Sequence, residues 1–134
     1  MKAIVIDYSE KYYPGRAKPA MPEKRSGKFV QVRNNETEYL VFSPKEFTPY
    51  HAGLVEQFCK EKGLKGAYDS KNKRFDIHEP AWIVVGGGKF ERDDRERHIR
   101  LYDNSMAYGR FDSKGLREKI LSTAGMSDYT VQIE

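Results

Sequence analysis

The chain has one cysteine, Cys59, in 134 residues. A lone thiol forms no internal disulfide, which excludes the disulfide-stapled secreted scaffolds and leads us to expect a cytoplasmic protein. Long apolar runs are also lacking. The longest, Ala81–Val85, falls far short of the ~20 residues of a membrane helix, so no membrane association is expected. The opening Met1-Lys2-Ala3-Ile4-Val5-Ile6-Asp7 reaches a charge too soon for a signal peptide. The three histidines, His51, His78 and His98, show no compact metal-ligand spacing, and Asp93-Asp94 suggests a solvated turn. We therefore expect no metal and no cofactor. The GxxxxGK[ST] nucleotide loop and the Gly-x-Ser-x-Gly elbow are absent. So is the Cys-x5-Arg loop of cysteine phosphatases, because Lys65 stands where its arginine would be.

A strong charge of one sign is missing as well. The net charge is +4 and the pI about 9.1, but the excess sits early. Residues 1–27 hold six Lys/Arg against three Asp/Glu, and residues 28–134 hold eighteen against seventeen. A body this close to neutral lacks the broad basic face of nucleic-acid binders. Only the early segment, with Tyr12 and Tyr13 beside its lysines, offers RNA a foothold. What the chain does have is aromatics, at 13% (nine Tyr, seven Phe, one Trp), which argue against disorder. The mass of 15.6 kDa fits one domain, and a chain of this length buries roughly two-thirds of its unfolded surface.

Ala3–Ile6 suits a first strand. The stretch from Pro14 to Pro22 holds three of the six prolines and sustains neither helix nor central strand. Residues 1–27 are thus expected to form a strand and a Pro-rich, basic connecting arm, and residues 28–134 the domain proper. Lys28–Arg33 and Glu38–Phe42 are β-rich runs, and Asn34-Asn35 between them tolerates the positive φ of a hairpin turn. Thr48 suits an N-cap and Pro49 the first helical position. Leu54, Val55, Phe58 and Cys59 follow at helical spacing, with Gly63 as the C-terminal cap. Arg74–His78 suits a short strand. Trp82–Val85 suits a buried strand that empties into Gly86-Gly87-Gly88, and Glu91–Arg97 the exposed turn of a hairpin. His98–Tyr102 alternates as a half-buried strand does. A second helix is expected from Asp112 or Ser113, with Leu116, Ile120 and Leu121 on one face and Gly125 at its end, before a last strand, Tyr129–Ile133. The expected fold is α/β: one domain with a mixed sheet of about five to six strands and two principal helices packed on it.

Three places could carry chemistry. His51 falls in the first turn of the expected helix, where backbone amides have no intrahelical partner and the dipole favours an anion. The same field disfavours imidazolium, leaving His51 neutral as a base or nucleophile near pH 7; a surface histidine is the plainer reading. Gly86-Gly87-Gly88-Lys89 could let a phosphate approach the backbone with Lys89 neutralising it, or could be a tight turn. Asn104-Ser105-Met106-Ala107-Tyr108-Gly109 could offer amides and the Ser105 hydroxyl to an anion, or could be an ordinary loop.

Lys28-Phe29-Val30, Tyr50-His51-Ala52, Gly86-Gly87-Gly88-Lys89 and above all Ile99-Arg100-Leu101-Tyr102-Asp103-Asn104-Ser105-Met106-Ala107-Tyr108-Gly109 occur in this order. Together they resemble the small phosphohistidine phosphatases, also called the Janus/Ocnus family, over residues 27 to 134. The resemblance implies a metal-independent phosphatase that acts on phosphohistidine, and on phospholysine, in proteins. It implies His51 as the catalytic residue, general base or nucleophile, and Lys28 in contact with the phosphate. Ala52, Gly88, Lys89 and Ser105-Met106-Ala107 complete the cradle. It also implies a phosphohistidine-containing protein as substrate; we expect a monomer. The same cradle would serve a module that binds phosphate or phosphoprotein without turnover. Two departures stand out. Lys89 occupies the place of an arginine and loses its bidentate fork, and the stretch between His51 and Gly86 is longer than in animal members.

Overall fold

Along the second long strand of the chain, neighbouring side chains go to opposite faces and both faces are buried. Phe29 joins one apolar cluster and Val30 and Val32 the other, as period-2 geometry requires of a strand covered on both sides. The computed structural model describes residues 2–13 and 21–134. In chain order the elements are β1 (Lys2–Asp7), α1 (Ser9–Tyr12), β2 (Lys24–Asn34), β3 (Thr37–Pro44), α2 (His51–Lys62), β4 (Gly66–Tyr68), β5 (Phe75–Ile77), β6 (Trp82–Asp93), β7 (His98–Tyr102), α3 (Leu116–Leu121) and β8 (Thr130–Ile133). Six strands form a mixed sheet in the order β1-β3-β2-β6-β7-β8, and β4 pairs with β5 in a separate hairpin. The pairs β1–β3 and β7–β8 are parallel, and the rest of the sheet is antiparallel.

One face packs Phe29, Phe42, Phe90 and Leu101 under α3 and Phe111. The other packs Val30, Val32 and Val41 under Leu54, Val55 and Phe58 of α2. The expected α/β fold with a mixed sheet and two principal helices is what forms. Among the described residues no helix is long and apolar enough to cross a membrane.

Several boundaries differ from expectation. The expected first strand forms as β1 and lies in the main sheet, but within the expected arm Ser9–Tyr12 is helical and β2 already begins at Lys24. Residues 14–20 of the expected arm lie outside the described residues. Asn35 takes the positive φ of the β2–β3 turn, at 55°, while Asn34 still pairs with Thr37. The second helix starts later than Asp112 or Ser113 and stops before Gly125. Asp112 is occupied elsewhere, its carboxylate accepting from Arg33 and from the Lys114 amide. Its own amide donates to Gln31 Oε1 at 2.7 Å. Gly115, left-handed at φ 65°, then turns the chain into α3.

The expected exposed turn of the β6–β7 hairpin is shorter, at 94–97, with the Arg95 and Glu96 amides donating to the Asp93 carboxylate. Glu91 to Asp93 belong to β6, and Asp94 joins a half-buried network on the α3 face. Asp94 accepts from Arg25 and Arg92 at 2.7 Å each and from the Tyr129 hydroxyl at 2.6 Å. Asp7 at the end of β1 accepts from the same two guanidinium groups, at 3.1 and 3.0 Å, and from the Ser9 amide at 2.9 Å. Burial pushes the Asp94 carboxyl up, but the bonds from Tyr129, Arg25 and Arg92 outweigh it and hold the pKa at about 2. Asp7→Ala removes one acceptor from the buried Arg25 and the half-buried Arg92 and costs about 2 kcal/mol, measured as the free energy of urea unfolding. An unchanged value would mean that Asp94 alone satisfies both guanidinium groups.

Candidate functional site

The helix that carries His51 begins without a side-chain cap. Thr48, the expected N-cap, turns its hydroxyl back to Ser43 of β3. Pro49 therefore stays outside the helix, and the extended Tyr50 precedes it instead. His51 is the first helical residue. The first intrahelical bond runs from the Leu54 amide to the Tyr50 carbonyl at 3.2 Å, so the amides of His51, Ala52 and Gly53 precede the helical ladder. No acidic residue stands in this first turn, which leaves the positive end of the dipole unopposed. Gly63, left-handed at φ 69°, closes the other end as expected.

His51 is buried, and its Nε2 lies 2.9 Å from the Gly88 carbonyl oxygen. A carbonyl only accepts, so Nε2–H is the donor and the neutral ring keeps its lone pair on Nδ1. Burial lowers the His51 pKa below its ordinary 6.5; the Gly88 hydrogen bond and Asp103 oppose this, and the positive charges of Lys28 and Lys89 add to it. The net result is a neutral imidazole at pH 7.

The glycine run is neither a strand end nor a turn. Gly86, Gly87 and Gly88 lie in the middle of β6, and the reason is crowding from both faces. A Cβ on Gly87 would come within 2.9 Å of His51 Cδ2 and 2.7 Å of the Phe29 oxygen. On the other face a Cβ on Gly86 would meet the Arg110 oxygen at 2.3 Å, and one on Gly88 the Tyr102 oxygen at 2.6 Å. The run thus lets His51 sit against the sheet, where any side chain would push it away.

His51 lines an open cleft of ≈ 960 Å³ together with Lys28, Ala52, Lys89, Ser105, Met106 and Ala107. Of the expected cradle only Gly88 is absent from this lining: it lies behind His51 and holds the ring through its carbonyl. Lys28 and Lys89 face each other across β2 and β6. Like charges directly opposite destabilise a sheet unless they are countered. Lys89 is neutralised by Asp103 at 3.1 Å, and among the described residues no carboxylate pairs with Lys28. In the 105–109 loop the Ser105 amide donates to the Gly109 carbonyl and its hydroxyl accepts from the Tyr108 amide, both at 3.1 Å. Among the described residues no partner takes the Met106 or Ala107 amide. Cys59 points into the core, where burial pushes its thiol up to about 11, and it takes no part.

A sequence model of the Janus/Ocnus family (Ocnus) matches residues 27–130. The chain belongs to the Janus/Ocnus family. The match runs from within β2 to the first residue of β8, so all the cleft residues lie inside it, while β1 and α1 lie before it. No curated protein matches the chain. Among the described residues no three His, Cys, Asp or Glu side chains gather to hold a metal ion. The sequence assigned no role to three parts of this cleft. They are Asp103, which occupies Lys89; Tyr108, which orders the loop; and the β4–β5 hairpin, which forms the far wall through Tyr68, Asn72 and Lys73. Asp103, directly after a strand, and Asn72, in the hairpin, both take positive φ, and of the two asparagine is the residue type whose tolerance of it could be read in sequence.

Proposed function

We propose that this Janus/Ocnus protein is a phosphatase that hydrolyses phosphohistidine in proteins, and phospholysine by the same chemistry, without a metal. The observation that carries the reading is His51: a buried neutral imidazole, pinned through Nε2–H to Gly88, at the uncapped start of α2 beside Lys28. The phosphoryl oxygens are taken by Lys28 and by the amides of α2 and of Met106 and Ala107. Nδ1 of His51 then acts as base toward a water that attacks phosphorus, or attacks phosphorus itself and is freed by water afterwards. In both routes the P–N bond breaks, and its electron pair stays on the leaving nitrogen, which gains a proton. One water is consumed and inorganic phosphate is released. Because the P–N bond is labile, positioning and charge stabilisation supply much of the catalysis.

The test is phosphate release from a phosphohistidine peptide with and without EDTA. Release unaffected by EDTA is expected. Absence of release, with inorganic phosphate still bound in the cleft, would replace this reading by a phosphoprotein-binding module.

The protonation state of His51 sets the acid side of the pH profile. As pH falls through its lowered pKa, the base is lost, so kcat/KM declines along a limb below pH 6.5. Lys28→Ala removes a charge that pushes this pKa down and should move the limb to higher pH. The same variant should raise KM by about tenfold and lower kcat less, as expected for loss of a group that binds phosphate in ground and transition states alike. Steady-state kinetics from pH 5 to 8 measure both effects, and a limb that stays in place would separate Lys28 from His51.

A further inference from the structure

The cleft is larger than its chemistry needs. At ≈ 960 Å³ it lies near the top of the ~300–1,000 Å³ range of small-molecule sites, and a phosphoryl-imidazole occupies only the end at His51. The remainder is walled by large apolar side chains that the fold leaves in solvent: Tyr50 is 73% exposed, Met106 103% and Tyr68 36%. Soluble surfaces gather such groups where something docks. The β4–β5 hairpin that carries Tyr68 is held in place before any ligand arrives. Tyr68 Oη donates to Glu56 of α2 at 2.9 Å, and its ring meets Phe75 edge-on at 5.2 Å. The Tyr108 hydroxyl accepts from the Phe75 amide at 2.9 Å and donates to the Phe75 carbonyl at 2.7 Å, tying the hairpin to the loop that carries Met106. At the tip, Asp69 accepts from the amides of Lys73 and Arg74 at 2.8 and 3.2 Å. Among the described residues no carboxylate pairs with Lys73.

We propose that the β4–β5 hairpin, facing Tyr50 and Met106, is the docking surface for the polypeptide on either side of the phosphohistidine. It takes an extended segment of the protein substrate, with a large apolar side chain beside the phosphorylated histidine against Tyr68 and an acidic side chain at Lys73. The surface is continuous with His51, which makes the chain bearing the phosphoryl group its occupant, and its rigidity lowers the ordering cost of binding. The proposal rests on the phosphatase reading.

The experiment compares kcat/KM for free phosphohistidine, for a phosphohistidine peptide with glycine neighbours, and for one with leucine and glutamate neighbours. It uses the wild type and the variants Tyr68→Ala, Tyr68→Phe and Lys73→Ala. The wild type should prefer the leucine/glutamate peptide to the glycine peptide by about tenfold, through KM. Tyr68→Ala should erase most of that preference, Tyr68→Phe should keep it, and Lys73→Ala should lose the part due to glutamate. All three variants should match the wild type on free phosphohistidine. Equal wild-type rates on the two peptides would overturn the docking surface while the phosphatase reading stands. A loss in Tyr68→Ala of the same size on free phosphohistidine would do so too, since the hairpin would then be supporting His51. A wild type inactive on free phosphohistidine and on both peptides would overturn the phosphatase reading and this proposal with it.

Discussion

His51→Ala lowers kcat for phosphohistidine hydrolysis by ~10²–10⁴-fold, the contribution of a positioned proton-transfer group, while the domain stays folded. The residue stands at one end of α2, whose hold on the sheet comes from Leu54, Val55 and Phe58, and none of these depends on the imidazole. The structural loss is one buried hydrogen bond to Gly88, which costs about 1–2 kcal/mol. Activity and thermal unfolding measured on the same preparation separate the two effects. Because the variant leaves space where a ring stood, added imidazole should restore part of the rate. Full activity in the variant would remove His51 from the mechanism and return the cleft to a binding role.

Gly87→Ala reaches the same imidazole from behind. The added methyl lies 2.9 Å from His51 Cδ2 and 2.7 Å from the Phe29 carbonyl oxygen. The backbone oxygen belongs to the central strand β2 and gives little, so the ring has to move. Overpacking of this kind costs about 1–3 kcal/mol, and a displacement near 1 Å at a reacting group costs about 10²-fold in rate. The variant should thus remain folded with kcat lowered about 10²-fold. Gly86→Ala serves as its contrast. Its methyl meets the Arg110 carbonyl on the opposite face, so it should lower stability without a matching loss of rate per folded molecule. If both variants lose rate in proportion to their unfolding, the glycine run serves the sheet and not the histidine.

The β character of Lys28–Arg33 and Glu38–Phe42 was legible in their residue types, but apolar residues stand at both parities, so which side chain goes to which face was not. Asn35 announced its turn, and the stripe Leu54, Val55, Phe58, Cys59 announced α2. His51, Lys89 and the 105–107 segment were legible as candidates from their own chemistry, and Lys28 only through the family resemblance; all of them line one cleft. What escaped is non-local. Glycine has no side chain and so no period, and Gly86–Gly88 looks alike in a turn or in a strand pressed from both faces. Thr48 has the chemistry of a cap, but Ser43 five residues earlier takes its hydroxyl. Asp94 sits among charges that look solvated, yet its partners come from β2, β6 and the segment before β8. The parallel docking of β1 against β3 likewise rests on pairing across the whole hairpin.

The bond from His51 Nε2 to the Gly88 carbonyl also has a stereochemical consequence. It reserves one ring nitrogen for the protein, so a covalent phosphoryl-enzyme, where one forms, bears phosphorus on Nδ1 alone. That is the less stable of the two regioisomers of phosphohistidine, and it differs from the other in phosphorus chemical shift. Rapid-quench trapping under alkaline conditions, followed by phosphorus NMR, would reveal the Nδ1 isomer if the histidine attacks directly. It would reveal no protein-bound phosphorus if water does.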